Sequence, residues 1–215
     1  MTLDRVAAAI TDAFGANEYP GDRWILGSSE GCEPEEEVGP FRAHHDWRTI
    51  DAAFLDGHYV ALSFFSEAGF RFYLPAYLLA DLDERLQTAD PVFHLTHGFD
   101  EIAVTHDVGG ERFVMRSGRT QLMNPLRYGA STSEDYARYR LSIFTRDEAG
   151  AIVSYLEHVR ERDGREFDRP HIEAALDAFW RERARSAPRR ADLQEHLARQ
   201  AAWMAAVQRE RRSSR

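Results

Sequence analysis

Apolar residues at the start of the chain recur at helical spacing. Leu3, Val6, Ala7, Ile10 and Phe14 share one face of a 3.6-residue period, which predicts an amphipathic helix over residues 3–14. Gly15 ends it, Tyr19-Pro20-Gly21-Asp22 reads as a turn, and Trp24, Ile25 and Leu26 form a short apolar anchor. Residues 27–40 are acidic, rich in Gly, Ser and Pro and without periodicity, the pattern of a mobile surface loop. Residues 47–56 predict a short helix capped by Thr49. Residues 58–65 are almost wholly apolar and are expected to be buried. Ser66 then starts a helix that runs to about Leu86, with Phe70, Tyr73, Leu74, Tyr77, Leu78 and Leu82 turned inward. Pro75 lies inside it. A proline there removes a backbone donor and crowds the preceding turn, so a kink or break is expected near residues 72–74.

The texture changes at Pro91. Val92, Phe93 and Leu95 read as extended. The runs 102–106 and 112–116, set around Gly109-Gly110, predict a β-hairpin. Asn124-Pro125 is a further turn, and Ser131 with Glu134 matches a capping box. The last third is helical. Thr145 and Glu148 form a second capping box ahead of Ala149, Ile152, Val153 and Leu156. Asp163-Gly164 stops that helix, and Asp168 with Pro170 opens the next, whose inner face is Ile172, Ala175, Leu176 and Phe179. Pro188 opens a final helix with Leu193, Leu197, Met204 and Val207 at mixed spacing, and its polar end is expected to fray. The fold class read from this pattern is α+β: a helix-dominated single globular domain over residues 1–187, a small β-hairpin near 100–117, and a C-terminal helical extension over 188–215.

Composition narrows the setting. The 215 residues are 43% apolar and 29% charged, close to the globular average. Thirteen Phe, eight Tyr and four Trp are enough large side chains for one core. No 18-residue apolar run is present, so no membrane span is expected, and Asp4, Arg5 and Asp12 make the opening segment a mature helix rather than a signal peptide. The single Cys32 rules out a disulfide within the chain and fits a reducing, cytoplasmic compartment. The net charge is −9, and all 27 basic residues are Arg, which fits a GC-rich genome. The charge is uneven: residues 1–150 hold 13 Arg and 25 acids, a net −12, whereas 151–215 hold 14 Arg and 11 acids, a net +3. An acidic body lacks the clustered cations that phosphate contacts need, so nucleic acid is not an expected partner.

Three side-chain groups are candidates for chemistry. His44, His45 and Asp46, with His58 downstream, are metal-ligating residue types, but adjacent residues point apart on any regular element and no established metal motif is present. His94 and His97, with His106, form a second weak metal candidate. On an extended segment His94 and His97 would face opposite sides. Trp47, His58, Tyr59, Arg71 and Tyr73 are the candidate binding residues. The last four are polar groups inside the most apolar stretch, where a hydrogen-bond network with Asp56 or Asp81 is the structural alternative to a site. Cys32 sits among Glu30, Glu33 and Glu35, acidic surroundings that work against a nucleophilic thiolate. No nucleophile elbow, P-loop or dinucleotide fingerprint occurs. No cofactor is expected.

The stretch FLDGHYVALSFFSEAGFRFYLPAYLL over residues 54–79 is distinctive. Together with residues 10–22, Trp47 and the segment 144–180, it resembles a bacterial family known only as a domain of unknown function. The resemblance spans about residues 6–185. The chain departs from the family pattern at Glu67, where the family often has Pro, and at Gly69, where it often has Ala. It also keeps a single cysteine where the family often has several. The resemblance implies a bacterial cytoplasmic setting and no particular reaction.

Three functions are compatible with the sequence. The first is a non-enzymatic module that binds another protein, or a second copy of itself, through its acidic surface, in the manner of immunity or antitoxin proteins. The second is a metal-dependent enzyme with a His/Asp site. The third is a small-molecule sensor with a pocket under the Pro75 kink.

Overall fold

A computed structural model describes residues 2–27 and 31–213, and the side chains of all of these except 102–104, 106, 108, 115–117, 206–208 and 210–213. Helices dominate. In chain order they are α1 (Leu3–Phe14), α2 (Glu33–Val38), α3 (Ala52–Gly57), α4 (Ala61–Phe64), α5 (Glu67–Leu82) and α6 (Pro91–Thr96), then β1 (Glu101–Val108) and β2 (Glu111–Gly118). There follow α7 (Pro125–Tyr128), α8 (Ser133–Leu141), α9 (Arg146–Arg160), α10 (Arg169–Ala175), α11 (Arg181–Ser186) and α12 (Arg190–Ser213). Among the described residues no helix is long and apolar enough to cross a membrane.

α5 is the axis of the core. Twelve of its sixteen residues are buried, on all sides of the helix, which places it inside the molecule rather than on a face. α1, α3 and α6 pack around it, and α9 closes the core against α1 and α11. Val6, Ile10 and Phe14 of α1 are fully buried, as the 3–14 periodicity requires. The Ser66 hydroxyl oxygen accepts the Gly69 N–H at 3.0 Å and fixes where α5 begins. At the far end, Arg162 donates to the Asp81 and Leu82 carbonyls at 3.0 and 3.1 Å, placing a cation on the last turn.

The helix runs unbroken through Pro75, where a kink or break was expected, and ends at Leu82. Pro75 is buried in the core, and burial on every side holds the turn that its missing donor would loosen. None of the four clefts described among these residues is lined by Pro75.

Gly69 explains how the chain enters α5. A Cβ at this position would lie 2.6 Å from the Ile25 carbonyl oxygen, because the segment 25–27 bridges to Phe65 directly beside the first turn. Gly69→Ala is therefore expected to lower stability by about 1–3 kcal/mol through overpacking, read from urea denaturation. A variant as stable as the parent would show that segment 25–27 is free to move away.

Several sequence expectations are corrected by local chemistry. Residues 28–30 of the expected loop 27–40 lie outside the described residues. Within the rest, 33–38 are regular and form α2, with Pro34 in the first turn and Glu33, Glu35 and Glu36 at its positive end. Pro34 and Val38 are buried, so the acidity belongs to a helix start rather than to a mobile loop. In 47–57 the cap is Asp51, accepting from Ala53 N at 2.7 Å, not Thr49. Residues 92–96 are not extended. The Asp90 carboxylate accepts the Phe93 N–H at 3.1 Å and Pro91 occupies the first turn, which makes α6. α8 is capped by Thr132, not Ser131, and Asp168 makes no side-chain cap. Trp24, expected as an anchor, is 62% exposed, and Tyr59 is 46% exposed within the stretch expected to be buried.

β1 and β2 pair antiparallel from Glu101 with Gly118 to Val108 with Glu111, and Gly109 and Gly110 take φ of 64° and 86°, the positive values a tight two-residue turn needs. This ribbon is two strands only, so "helix-dominated" is the description the fold carries.

The capping box of α9 is present, with Glu148 accepting from Thr145 N at 2.8 Å. α10 continues into α11 through a wider π turn at Leu176–Trp180. The Ala178 carbonyl in that turn accepts from Arg138 of α8 at 2.8 Å, which fixes α8 on the body of the molecule. α12 is tied at its start, where Arg190 donates to Asn17 at 2.6 Å, and beyond Leu193 its described side chains are exposed, including Leu197 and Trp203.

Candidate functional site

Two clefts meet between the α4–α5 corner and α8. The outer cleft, about 590 Å³, is lined by Gly27, Ser63, Phe64, Phe65, Glu67 and, from α7 and α8, Arg127, Tyr128, Tyr136, Tyr139 and Arg140. The inner one, about 220 Å³, is lined by Phe93, His94 and His97, by Met123, and by Ser133, Ala137 and Leu141. Ser63, Tyr136 and Arg140 line both, so they stand where the two lobes join.

α8 builds this junction by its spacing. Tyr136 and Arg140 are four apart and therefore stacked on one face. Arg138, on another face, bonds Glu134 at 2.7 Å and the π turn, holding the helix in place. Arg140 donates through Nη2 to the Leu62 carbonyl and lies 4.6 Å over the Phe70 ring. Among the described residues no carboxylate lies within ion-pair distance of it. Burial lowers its pKa from the ordinary guanidinium value, while Tyr136 and Glu67 pull it up. It remains a cation all the same.

The histidines of the inner lobe carry no charge at neutral pH. Burial pushes His94 down to about 3, helped by the positive charges of Arg140 and His97. Burial also lowers His97, whose ring stacks on Phe93 at 4.8 Å. The inner lobe thus mixes apolar side chains with uncharged polar ones, with the cation at its mouth.

The binding residues expected from sequence do not share this cleft. Tyr73 is buried, its hydroxyl directed at the Phe41 and His44 carbonyls, 2.8 and 3.1 Å away. His58 lies near the same Phe41 ring, with Nδ1 3.6 Å from a Glu37 oxygen. Trp47 is buried with Arg48 4.7 Å over its ring. Arg71 turns instead to α9, where Nε lies 3.0 Å from each Glu148 oxygen, and Tyr59 faces solvent. Neither expected carboxylate joins them. Asp56 accepts three backbone N–H groups of residues 87–89, and Asp81 accepts from Tyr155 at 2.7 Å and Arg165 at 2.8 Å.

The metal candidates also separate. His44 packs on Phe54, His45 stacks on Tyr19 at 4.3 Å, and Asp46 caps the turn at Trp47–Thr49. His94 and His97 line the inner lobe, and the side chain of His106 lies outside the described residues. Among the described residues no three His, Cys, Asp or Glu side chains gather as a metal site. Sequence reasoning missed Ser63, Tyr136, Tyr139 and Arg140. The Tyr136/Arg140 spacing was the available signal. It also missed the contact of His171 with Asp100, 2.5 Å apart, where α10 meets the foot of the hairpin.

A family of unknown function (DUF6714) matches residues 6–113. The chain belongs to that family. No curated protein and no solved structure matches it. The matched span of the family contains one wall of the cleft, from Ser63 to His97, whereas Tyr136 and Arg140 lie beyond it.

Proposed function

We propose that this chain is a non-enzymatic binding protein whose ligand is an anion held by Arg140 in the two-lobed cleft. One observation carries the reading: a half-buried guanidinium, with no carboxylate within ion-pair distance among the described residues and Glu67 acting on it only from further off, stands at the junction of two clefts. A buried charge is normally compensated by an opposite charge, and leaving it unpaired costs stability. A ligand that brings the missing anion recovers that cost on binding. The clefts together fall in the size range of small-molecule sites.

The reading is tested by titrating the full chain, at low ionic strength, with acetate, inorganic phosphate and 3-phenylpropionate, beside the variant Arg140→Met. At least one anion is expected to bind the parent, and the variant to bind it about tenfold or more weakly. The denaturation midpoint of Arg140→Met is expected to hold or rise, because a half-buried charge without an ion-pair partner among the described residues gives way to an apolar side chain of similar length. The reading is overturned if no anion binds, or if the variant binds as the parent does. A strongly destabilised variant would assign Arg140 to the core instead.

A further inference from the structure

We infer that the ligand is an apolar monocarboxylate, with its carboxylate at Ser63, Tyr136 and Arg140 and its ring or branched body in the inner lobe. This inference rests on the anion reading above and goes further than it. All three side chains common to both lobes can donate hydrogen bonds: two hydroxyls and one guanidinium. A carboxylate has two oxygens and accepts several such bonds in one plane, which suits a guanidinium beside hydroxyl groups.

Charge separates a carboxylate from a phosphate here. The junction itself supplies one cation, and in the outer lobe Arg127 and Glu67 bring opposite charges, Glu67 close enough to act on Arg140 electrostatically. One negative charge is neutralised by Arg140. A second would meet either the apolar inner walls or an outer lobe where Glu67 offsets Arg127, so its desolvation is poorly compensated.

Volume and lining set the rest of the ligand. A dry cavity of about 150 Å³ holds a benzene ring. The inner lobe, at about 220 Å³, therefore has space for a six-membered ring with a short linker. Phe93, Ala137 and Leu141 give it an apolar lining, and the two imidazoles there are neutral. The same carboxylate can come from a free acid or from the C-terminal residue of a peptide. The open outer lobe, rimmed by Tyr128 and Tyr139, gives a peptide a way out.

The test compares 3-phenylpropionate with acetate, with inorganic phosphate and with 3-phenylpropionamide, by calorimetric titration of the full chain. The acid is expected to bind about tenfold or more tightly than each of the other three. Ser63→Ala and Tyr136→Phe, which remove one hydroxyl each, are expected to weaken the acid about threefold to tenfold. Phe93→Ala, at a half-exposed ring, is expected to narrow the preference over acetate while leaving acetate itself unchanged. Phosphate binding as well as the acid, in an Arg140-dependent way, overturns the inference and leaves the anion reading standing. An amide that binds as well as the acid overturns both. Acetyl-alanyl-phenylalanine binding more tightly than 3-phenylpropionate, and losing that affinity when amidated, supports the inference with a protein C-terminus as the source. The reverse order supports it with a free acid.

Discussion

Glu148→Ala is expected to remove about 3–5 kcal/mol of stability, a large part of what a domain of this kind possesses. Glu148 is 1% exposed and serves two partners. Its oxygens accept from Arg71 Nε at 3.0 Å and from the Thr145 backbone N–H at 2.8 Å. Removing the carboxylate leaves a half-buried guanidinium without its counter-charge and opens the N-terminus of α9. Loss of a cap alone costs about 1 kcal/mol, so Thr145→Ala separates the two contributions. Glu148→Gln keeps an acceptor for the Thr145 N–H and should fall between the two. Urea denaturation of the three variants checks the order. A loss for Glu148→Ala no larger than that for Thr145→Ala would mean that Arg71 adds nothing.

The same residue shows how far the sequence could be read. Thr145 and Glu148 were legible as a capping box because the signal is local, a serine or threonine three residues ahead of a glutamate. Arg71 was legible only as a charge in an apolar stretch, since its partner lies 77 positions away and nothing local names it. Periodicity gave α1 to the residue, and the Gly-Gly pair gave the hairpin turn. It failed where first-turn chemistry outweighed the local pattern. Asp90-Pro91 turned an apparently extended run into α6, and Pro34 with three glutamates turned an apparent loop into α2.

The cleft failed for a different reason. Tyr136 and Arg140 sit on a helix whose average composition is polar, so it reads as a solvated surface. Only the fold brings Ser63 of α4 and the α6 histidines opposite them. The expected binding residues, by contrast, were chosen for being polar within the apolar core stretch. Arg71 and Tyr73 proved to be hydrogen-bonded there, as the structural alternative required, though with Glu148 and backbone carbonyls in place of Asp56 or Asp81.

Acid is expected to destabilise this fold before its carboxylates titrate. His94 has an ordinary imidazole value near 6.5 when the chain is unfolded, and about 3 when folded. Between those values the unfolded chain binds a proton that the folded chain refuses. Stability attached to His94 is therefore full above pH about 6.5 and is lost as pH falls, at up to about 1.4 kcal/mol per pH unit. His97 is lowered too, but it is exposed, so it adds little to the slope, in the same direction. The carboxylates held low by hydrogen bonds, such as Asp56 under its three backbone N–H groups, lose their contribution only at lower pH. The Asp90 carboxyl, raised by burial, works in the opposite sense. The interval from pH 6.5 to 5 thus reports chiefly on the His94 imidazole of the inner lobe. His94→Leu keeps an apolar side chain in that lobe and is expected to flatten the slope across this interval. Urea midpoints measured at half-unit steps of pH would show it. A parent whose stability is level from pH 7 to 5, or a slope that His94→Leu leaves intact, would place the His94 ring in contact with water. The inner lobe would then be too wet to hold the body of an apolar acid.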